Sequence, residues 1–212
     1  VKIATRKITL VVLALSCGIG ARAQDRMPEI PAAQLTPAQR EAARLFKESR
    51  GVPVFGPFVP LLRSPELMLD AKNMGDYLRY RNSLPPAINE MIILLVAREW
   101  AQQVEWQIHY PAALKAGLRQ SVADAIGAAR RPDDLSEAES AAWEFVTELR
   151  RDKQVSDATY HRVEAQFGEQ GVIDMAGTDG YYQFLALTMN ATRTAADPAK
   201  PFLPTLSDLT EQ

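Results

Sequence analysis

The chain has 212 residues, 24 basic and 26 acidic, for a net charge of −2, and 47% of its residues are hydrophobic. That length fits one domain with an ordinary core, and the mildly acidic balance excludes an obvious nucleic-acid binder. The single cysteine excludes a disulfide framework or a cysteine metal site.

The N-terminus reads as a secretory signal. Lys2, Arg6 and Lys7 precede an apolar run from Ile8 to Leu15, and Ala21-Arg22-Ala23 supplies small residues for a signal peptidase. The run is too short for a stable bilayer anchor. Cleavage after Ala23 is expected, giving a periplasmic or secreted protein that begins at Gln24. Cys17 falls inside this segment. Lipoprotein anchoring through it is the weaker alternative, because Leu15 and Ser16 match a lipoprotein site poorly. Cleavage takes four of the 24 basic residues and no acidic one, so the remainder carries 20 basic against 26 acidic side chains, a net of −6. No second long apolar run follows, so no stable membrane span is expected in the mature form.

Residues 24–35 read as a linker. Thr36, Pro37 and Gln39 open the first helix with a capping box and a proline at its first position. Pro53, Pro57 and Pro60 should keep the stretch from Gly51 to Pro60 out of helix. Ser64-Pro65-Glu66 starts a second helix that runs to about Arg81. A third opens at Pro85-Pro86. Ile88, Met91, Ile92, Leu95 and Val96 repeat at helical spacing, and Ile93 and Leu94 fill the other face. A helix apolar most of the way round belongs at the centre of a bundle. The pattern continues towards His109, with a break expected near Ala101. Pro111 should begin a short helix that Gly117 ends, and Arg119 to Ala129 another. Ser136 and Glu139 form a capping box for the next. Ser156 caps one more, ending at Gly168. Gly171 to Asn190 closes the domain, with Gly177 and Gly180 allowing close helix approach. The helical domain spans 36–193, and a proline-containing tail, 194–212, should drape over its surface. With no sustained strand alternation, the fold class expected is all-α, a single-domain helical bundle.

Histidine is scarce: only His109 and His161 occur. His161 falls on the solvent side of an amphipathic helix. His109 ends a helix carrying Gln102, Glu105 and His109 within an arc of roughly 60°, and Glu105 and His109 stand one turn apart. A carboxylate beside an imidazole makes a general acid/base pair possible. The spacing alone also fits a helix-end pair in which His109 satisfies the last carbonyls. Glu90 would lie roughly 22 Å from Glu105 on a straight helix. The ligand spacing does not suit a metal.

The motifs Gly56-Pro57-Phe58, Leu62-Arg63-Ser64-Pro65-Glu66, Leu84-Pro85-Pro86, Glu90, Arg98-Glu99-Trp100, Glu105-Trp106-Gln107-Ile108-His109, Ala113-Leu114-Lys115-Ala116-Gly117 and Gly180-Tyr181-Tyr182 together resemble the carboxymuconolactone decarboxylase family, within the alkylhydroperoxidase-like superfamily. The resemblance spans about residues 45–193. It implies an alkylhydroperoxidase-like helical bundle that forms a homo-oligomer of two, three or six chains. The reductase branch carries a Glu, eleven residues, Cys-x-x-Cys, three residues and a His. On this chain those positions are Glu90, Gln102, Glu105 and His109, so both redox residues are missing and thiol peroxidase activity is not implied.

The decarboxylase branch is similar in placing a carboxylate and a histidine in its pocket, and its members need no metal or organic cofactor. The resemblance therefore implies His109, Glu105 and Glu90 as catalytic residues, with Gln102, Arg98 and Trp106 binding a small-molecule substrate. Arg98 would anchor a substrate carboxylate, although from the sequence an ion pair with Glu99 or another acid is the readier reading. The expected activity is that of a cofactor-independent lyase or isomerase on a small carboxylated lactone or ketone. The alternative is an exported, non-catalytic binding or assembly protein. Export argues against carboxymuconolactone itself, because aromatic catabolism is intracellular. For Glu90 to join the site, the chain must turn back near Ala101–Gln103, or Glu90 must reach a neighbouring subunit.

Overall fold

A computed structural model describes residues 24–205. The expected signal segment with Cys17, and the last residues of the tail, lie outside the described residues. Among the described residues there are eight α-helices and no strand. They are α1 (Pro37–Arg50), the short α2 (Phe58–Leu61), α3 (Pro65–Tyr80), α4 (Pro86–Glu99), α5 (Gln103–Lys115), α6 (Gln120–Gly127), α7 (Glu137–Asp152) and α8 (Asp157–Thr192).

The helix starts follow from local chemistry. Thr36 and Gln39 close a reciprocal capping box on α1, and Ser136 and Glu139 close one on α7. The Ser156 side chain accepts from the Thr159 amide at the head of α8. Each cap satisfies backbone donors that have no partner within the helix, worth about 1 kcal/mol.

Three local expectations differ from the structure. Pro57 and Pro60 do not prevent helix: α2 starts after Pro57 and contains Pro60. Pro60 sits in the first turn, where its missing N–H would have no partner anyway. Pro111 does not start a helix but lies inside α5. The Pro111 ring faces solvent, and packing of buried Ala113 continues the helix past it. Gly168, with φ 69° and ψ 175°, breaks α8 without separating its two halves, and the second half continues as the closing helix.

The helix α4 is the axis of the bundle. Every residue from Ile88 to Arg98 is buried. Met91, Ile92, Leu94 and Leu95 pack into one core with α6, α7 and the start of α8, while Ile93 and Val96 pack into a second with α1, α2, α3 and the end of α8. A helix shared between two cores has no face left for water, which is why its sequence is apolar all round.

At its C-terminus α4 stops at Trp100, and Ala101 takes a positive φ of 48°. A non-glycine residue there costs about 1–2 kcal/mol. Gln102 then caps α5, its Oε1 accepting from the Val104 amide at 2.7 Å. The result is a helical hairpin in which α5 runs back along α4.

The segments outside the helices are held down. Gln103 and Gln107, one turn apart on α5, each bind a tail residue through both its backbone groups. Gln103 pairs with Leu203 at 2.8 and 2.9 Å, and Gln107 with Asp197 at 2.9 and 3.0 Å. Leu203 is 1% exposed, so the tail plugs the core as well as crossing a surface. At the other end the Arg26 amide donates to the Thr192 carbonyl at 2.8 Å. Among the described residues no helix is long and apolar enough to cross a membrane.

Candidate functional site

The hairpin brings Glu90 on α4 to His109 on α5. His109 Nδ1 donates to Glu90 Oε2 at 2.7 Å, and both side chains are at least nine-tenths buried. Because an ionised carboxylate only accepts, the neutral ring carries its proton on Nδ1 and leaves a lone pair on Nε2. Burial lowers the His109 pKa below 6.5; Glu90 opposes that shift, and Arg79 adds to it. The ring meets Tyr182 edge-on, with centroids 5.0 Å apart. Burial also pushes the Tyr182 phenol well above its ordinary range.

Glu105, one turn before His109, is 2% exposed, and neither carboxylate oxygen has a hydrogen-bond partner in the protein. Burial raises its pKa well above 4.5. An unpaired buried carboxyl is held in its neutral form because desolvation penalises the anion. Glu105 and His109 line one partly open cavity of about 30 Å³. That space takes about two waters.

The rest of the wall comes from α1, α2, α3 and α8. Phe58, Leu185 and Met189 make it apolar, and Tyr181 and Tyr182 add two phenols. Gly75 on α3 permits this arrangement: a Cβ there would fall within 2.7 Å of Tyr181 Cζ and closer still to its hydroxyl. Arg50 and Arg79 bring positive charge to the cavity. Arg50 is committed elsewhere, donating from Nε to Asp76 at 2.9 Å and stacking on the Phe58 ring at 4.7 Å. No carboxylate lies within ion-pair distance of Arg79 among the described residues; its guanidinium lies over the Tyr80 ring, 5.5 Å from the centroid.

The residues expected to bind substrate sit elsewhere. Gln102 spends Oε1 on the α5 cap and donates from Nε2 to Asn190 at 2.7 Å. It leaves the arc shared by Glu105 and His109 because a capping residue has non-helical dihedrals, here φ −86° and ψ 102°. Arg98 points away from the cavity, donating to the Gly127 carbonyl at the end of α6 and to the Pro204 carbonyl at 2.6 Å. It has no acidic partner among the described residues, so the expected pair with Glu99 is not formed, and burial lowers its pKa. Trp106 packs in the opposite core, against Tyr110, Gly127 and Leu203. None of the three lines the cavity. His161 is a surface side chain, 72% exposed. Among the described residues no group of three or more His, Cys, Asp or Glu side chains is placed to hold a metal ion.

Sequence reading missed Arg79, Arg50 and Gly75. Their helices, α1 and α3, reach the cavity only through long-range packing, and nothing local marks them. Tyr181 and Tyr182 were visible as part of a motif, but without a role.

No protein-family model matches this sequence, and no curated protein is similar to it in sequence. Solved structures do match in shape. One is described as an alkylhydroperoxidase AhpD core, an uncharacterized peroxidase-related protein from Ralstonia eutropha JMP134. It superposes with a TM-score of 0.66 at 16% identity, covering 82% of this chain and 92% of that one. Another is an uncharacterized peroxidase-related protein from Silicibacter sp. TM1040, with a TM-score of 0.64 at 15% identity over 85% of this chain and 96% of that one. At such identity the likeness is one of architecture: this chain has the all-helical alkylhydroperoxidase-like fold.

Proposed function

We propose that the protein is a cofactor-independent lyase or isomerase acting by general acid/base chemistry on a small carboxylated lactone or ketone, in the manner of carboxymuconolactone decarboxylases. The observation that carries this reading is the 2.7 Å Glu90–His109 hydrogen bond at a cavity that Glu105 also lines. The two halves of the site differ in the way acid/base chemistry requires. His109, neutral and oriented by Glu90, offers Nε2 as a base. Glu105, neutral through burial, offers a proton. In this reading His109 removes a proton beside the substrate carbonyl, or Glu105 protonates the enolate left by loss of carbon dioxide. Arg79 takes over the anchoring role first considered for Arg98, because it lines the cavity and has no carboxylate of its own. Residues 24–212 contain no cysteine, so the reading includes no thiol-dependent peroxidase activity and no sensitivity to alkylating agents. It also places the protein outside the cytosol after signal removal.

One observation favours the second reading, a non-catalytic binding protein. A cavity of about 30 Å³ is far smaller than a lactone, so turnover requires the wall to open. The test is proton exchange and decarboxylation of small keto acids and lactones in deuterated buffer, followed by NMR. With an active compound, His109→Ala and Glu90→Gln should each lower the rate about 10²–10⁴-fold with the fold intact. The rate should fall in acid as His109 protonates and in base as Glu105 ionises. A wild-type protein that binds such compounds without turning any over, or variants that react as fast as wild type, would sink the enzymatic reading in favour of binding.

A further inference from the structure

Arg98 is a buried cation that the proposed chemistry leaves unused. It is 9% exposed and has no acidic partner among the described residues. Its Nη1 serves the carbonyls of Gly127 and Pro204. The other edge of the guanidinium is idle. Nε is buried without a hydrogen-bond partner, and Nη2 has no acceptor among the described residues. Elsewhere in this chain that same edge takes carboxylates. Arg44 grips both oxygens of Glu41 with Nε and Nη2, and Arg151 grips both oxygens of Asp152. Arg150 sets the same two nitrogens on Asp179. The planar fork matches a carboxylate, and such charge-assisted pairs are stronger than neutral hydrogen bonds. Leaving a buried donor unpaired is destabilising.

Arg98 also lines a cleft of about 320 Å³ between α4, α6 and α7, separate from the cavity at His109. Small-molecule sites span about 300–1,000 Å³. Leu95, Ile126, Trp143 and Val146 give the cleft apolar walls. Arg150 and Arg151 line it too, but Asp179 and Asp152 already fill their forks. Glu99 stands on the exposed rim, where water and salt screen its charge. The unmet charge among the apolar walls is therefore the single positive charge of Arg98. We propose that this cleft is a second binding site, for a small monocarboxylate with an apolar body, and that the Nε–Nη2 edge of Arg98 grips the carboxylate. A neutral ligand would leave the fork unmet, and a phosphate would bring a second negative charge with no cation free to take it. Nε is buried, so a carboxylate on both arms must part the wall by the width of an oxygen atom. Half-buried Trp143 is the bulkiest side chain of that wall. The opposite edge of Arg98 holds the end of α6 and the tail at Pro204, so a bound carboxylate would tighten that clasp.

The test is isothermal titration of the full chain with benzoate as the probe, with tryptophan fluorescence as a second readout because Trp143 lines the cleft. Benzoate should bind with a dissociation constant of about 1 mM or tighter. Benzyl alcohol lacks the charge, and formate and inorganic phosphate lack the apolar body; each should bind about tenfold more weakly or worse. Arg98→Lys keeps the charge and a donor for the carbonyls but has no fork, so it should weaken benzoate about tenfold or more. Thr147→Trp, on the exposed rim of the cleft, should block entry with Arg98 untouched. Circular dichroism and melting temperature check that both variants fold. Arg79→Gln removes a cation from the acid/base cavity and should leave benzoate binding here unchanged. A full chain that does not bind benzoate at about 20 mM, binding that survives both Arg98→Lys and Thr147→Trp, or binding lost with Arg79→Gln would overturn the proposal.

Discussion

Replacing Glu105 by glutamine removes an ionisable proton and little else. The swap keeps the shape of a side chain that is 2% exposed and has no hydrogen-bond partner in the protein. In the folded state burial raises the Glu105 pKa well above 4.5; in the unfolded chain it returns to that ordinary value. Between the two values the folded state holds a proton that the unfolded state has lost. The stability associated with this group is therefore complete below pH 4.5 and falls as pH rises, by about 1.4 kcal/mol per pH unit for one proton, until the folded pKa is reached. His109 works in the opposite sense. Its folded pKa is lowered from 6.5, so its contribution grows as pH rises towards 6.5 and is flat above it. The difference between wild type and Glu105→Gln thus isolates Glu105. Urea denaturation at fixed pH from 4.5 upward should show wild-type stability falling relative to Glu105→Gln, the His109 contribution being common to both proteins and cancelling in the difference. Parallel profiles for the two proteins across this window would refute the claim that Glu105 is folded as a neutral acid, and with it the donor role in the proposed chemistry.

Two further outcomes test the packing. Ile92→Ala should cost about 2–5 kcal/mol in chemical denaturation, because the side chain is fully enclosed in the axial helix; Leu95→Ala should fall at the lower end of that range, since Leu95 is 8% exposed. Gly75→Ala should destabilise by about 1–3 kcal/mol despite the better helix propensity of alanine, because the new methyl displaces the Tyr181 ring. A shift in tyrosine fluorescence or NMR signals should accompany it, and a stabilised variant with an undisturbed Tyr181 would contradict the close contact.

The sequence alone determined what depends on neighbours within about a turn. Thr36 with Gln39 and Ser136 with Glu139 announced two helix starts, because a cap involves only four residues. The all-round apolarity of α4 marked it as the central helix, because no exposed face could suit those side chains. The break expected near Ala101 is present, and it is what allows Glu90 to reach His109. Gly177 does lie close to Leu78, whereas Gly180 faces open space. What only the tertiary structure decided is which side chains share the cavity. On the sequence, Gln102 stood on the same helical arc as Glu105 and His109, but capping took its side chain elsewhere. Arg98 was the cation chosen on the sequence, and nothing local singled out Arg79. The end of α6 and the tail claimed Arg98, while packing of α3 against α1 and α8 delivered Arg79 to the cavity. Such choices turn on contacts between residues far apart in the chain, where no local pattern distinguishes a side chain turned into a cavity from one turned to a carbonyl.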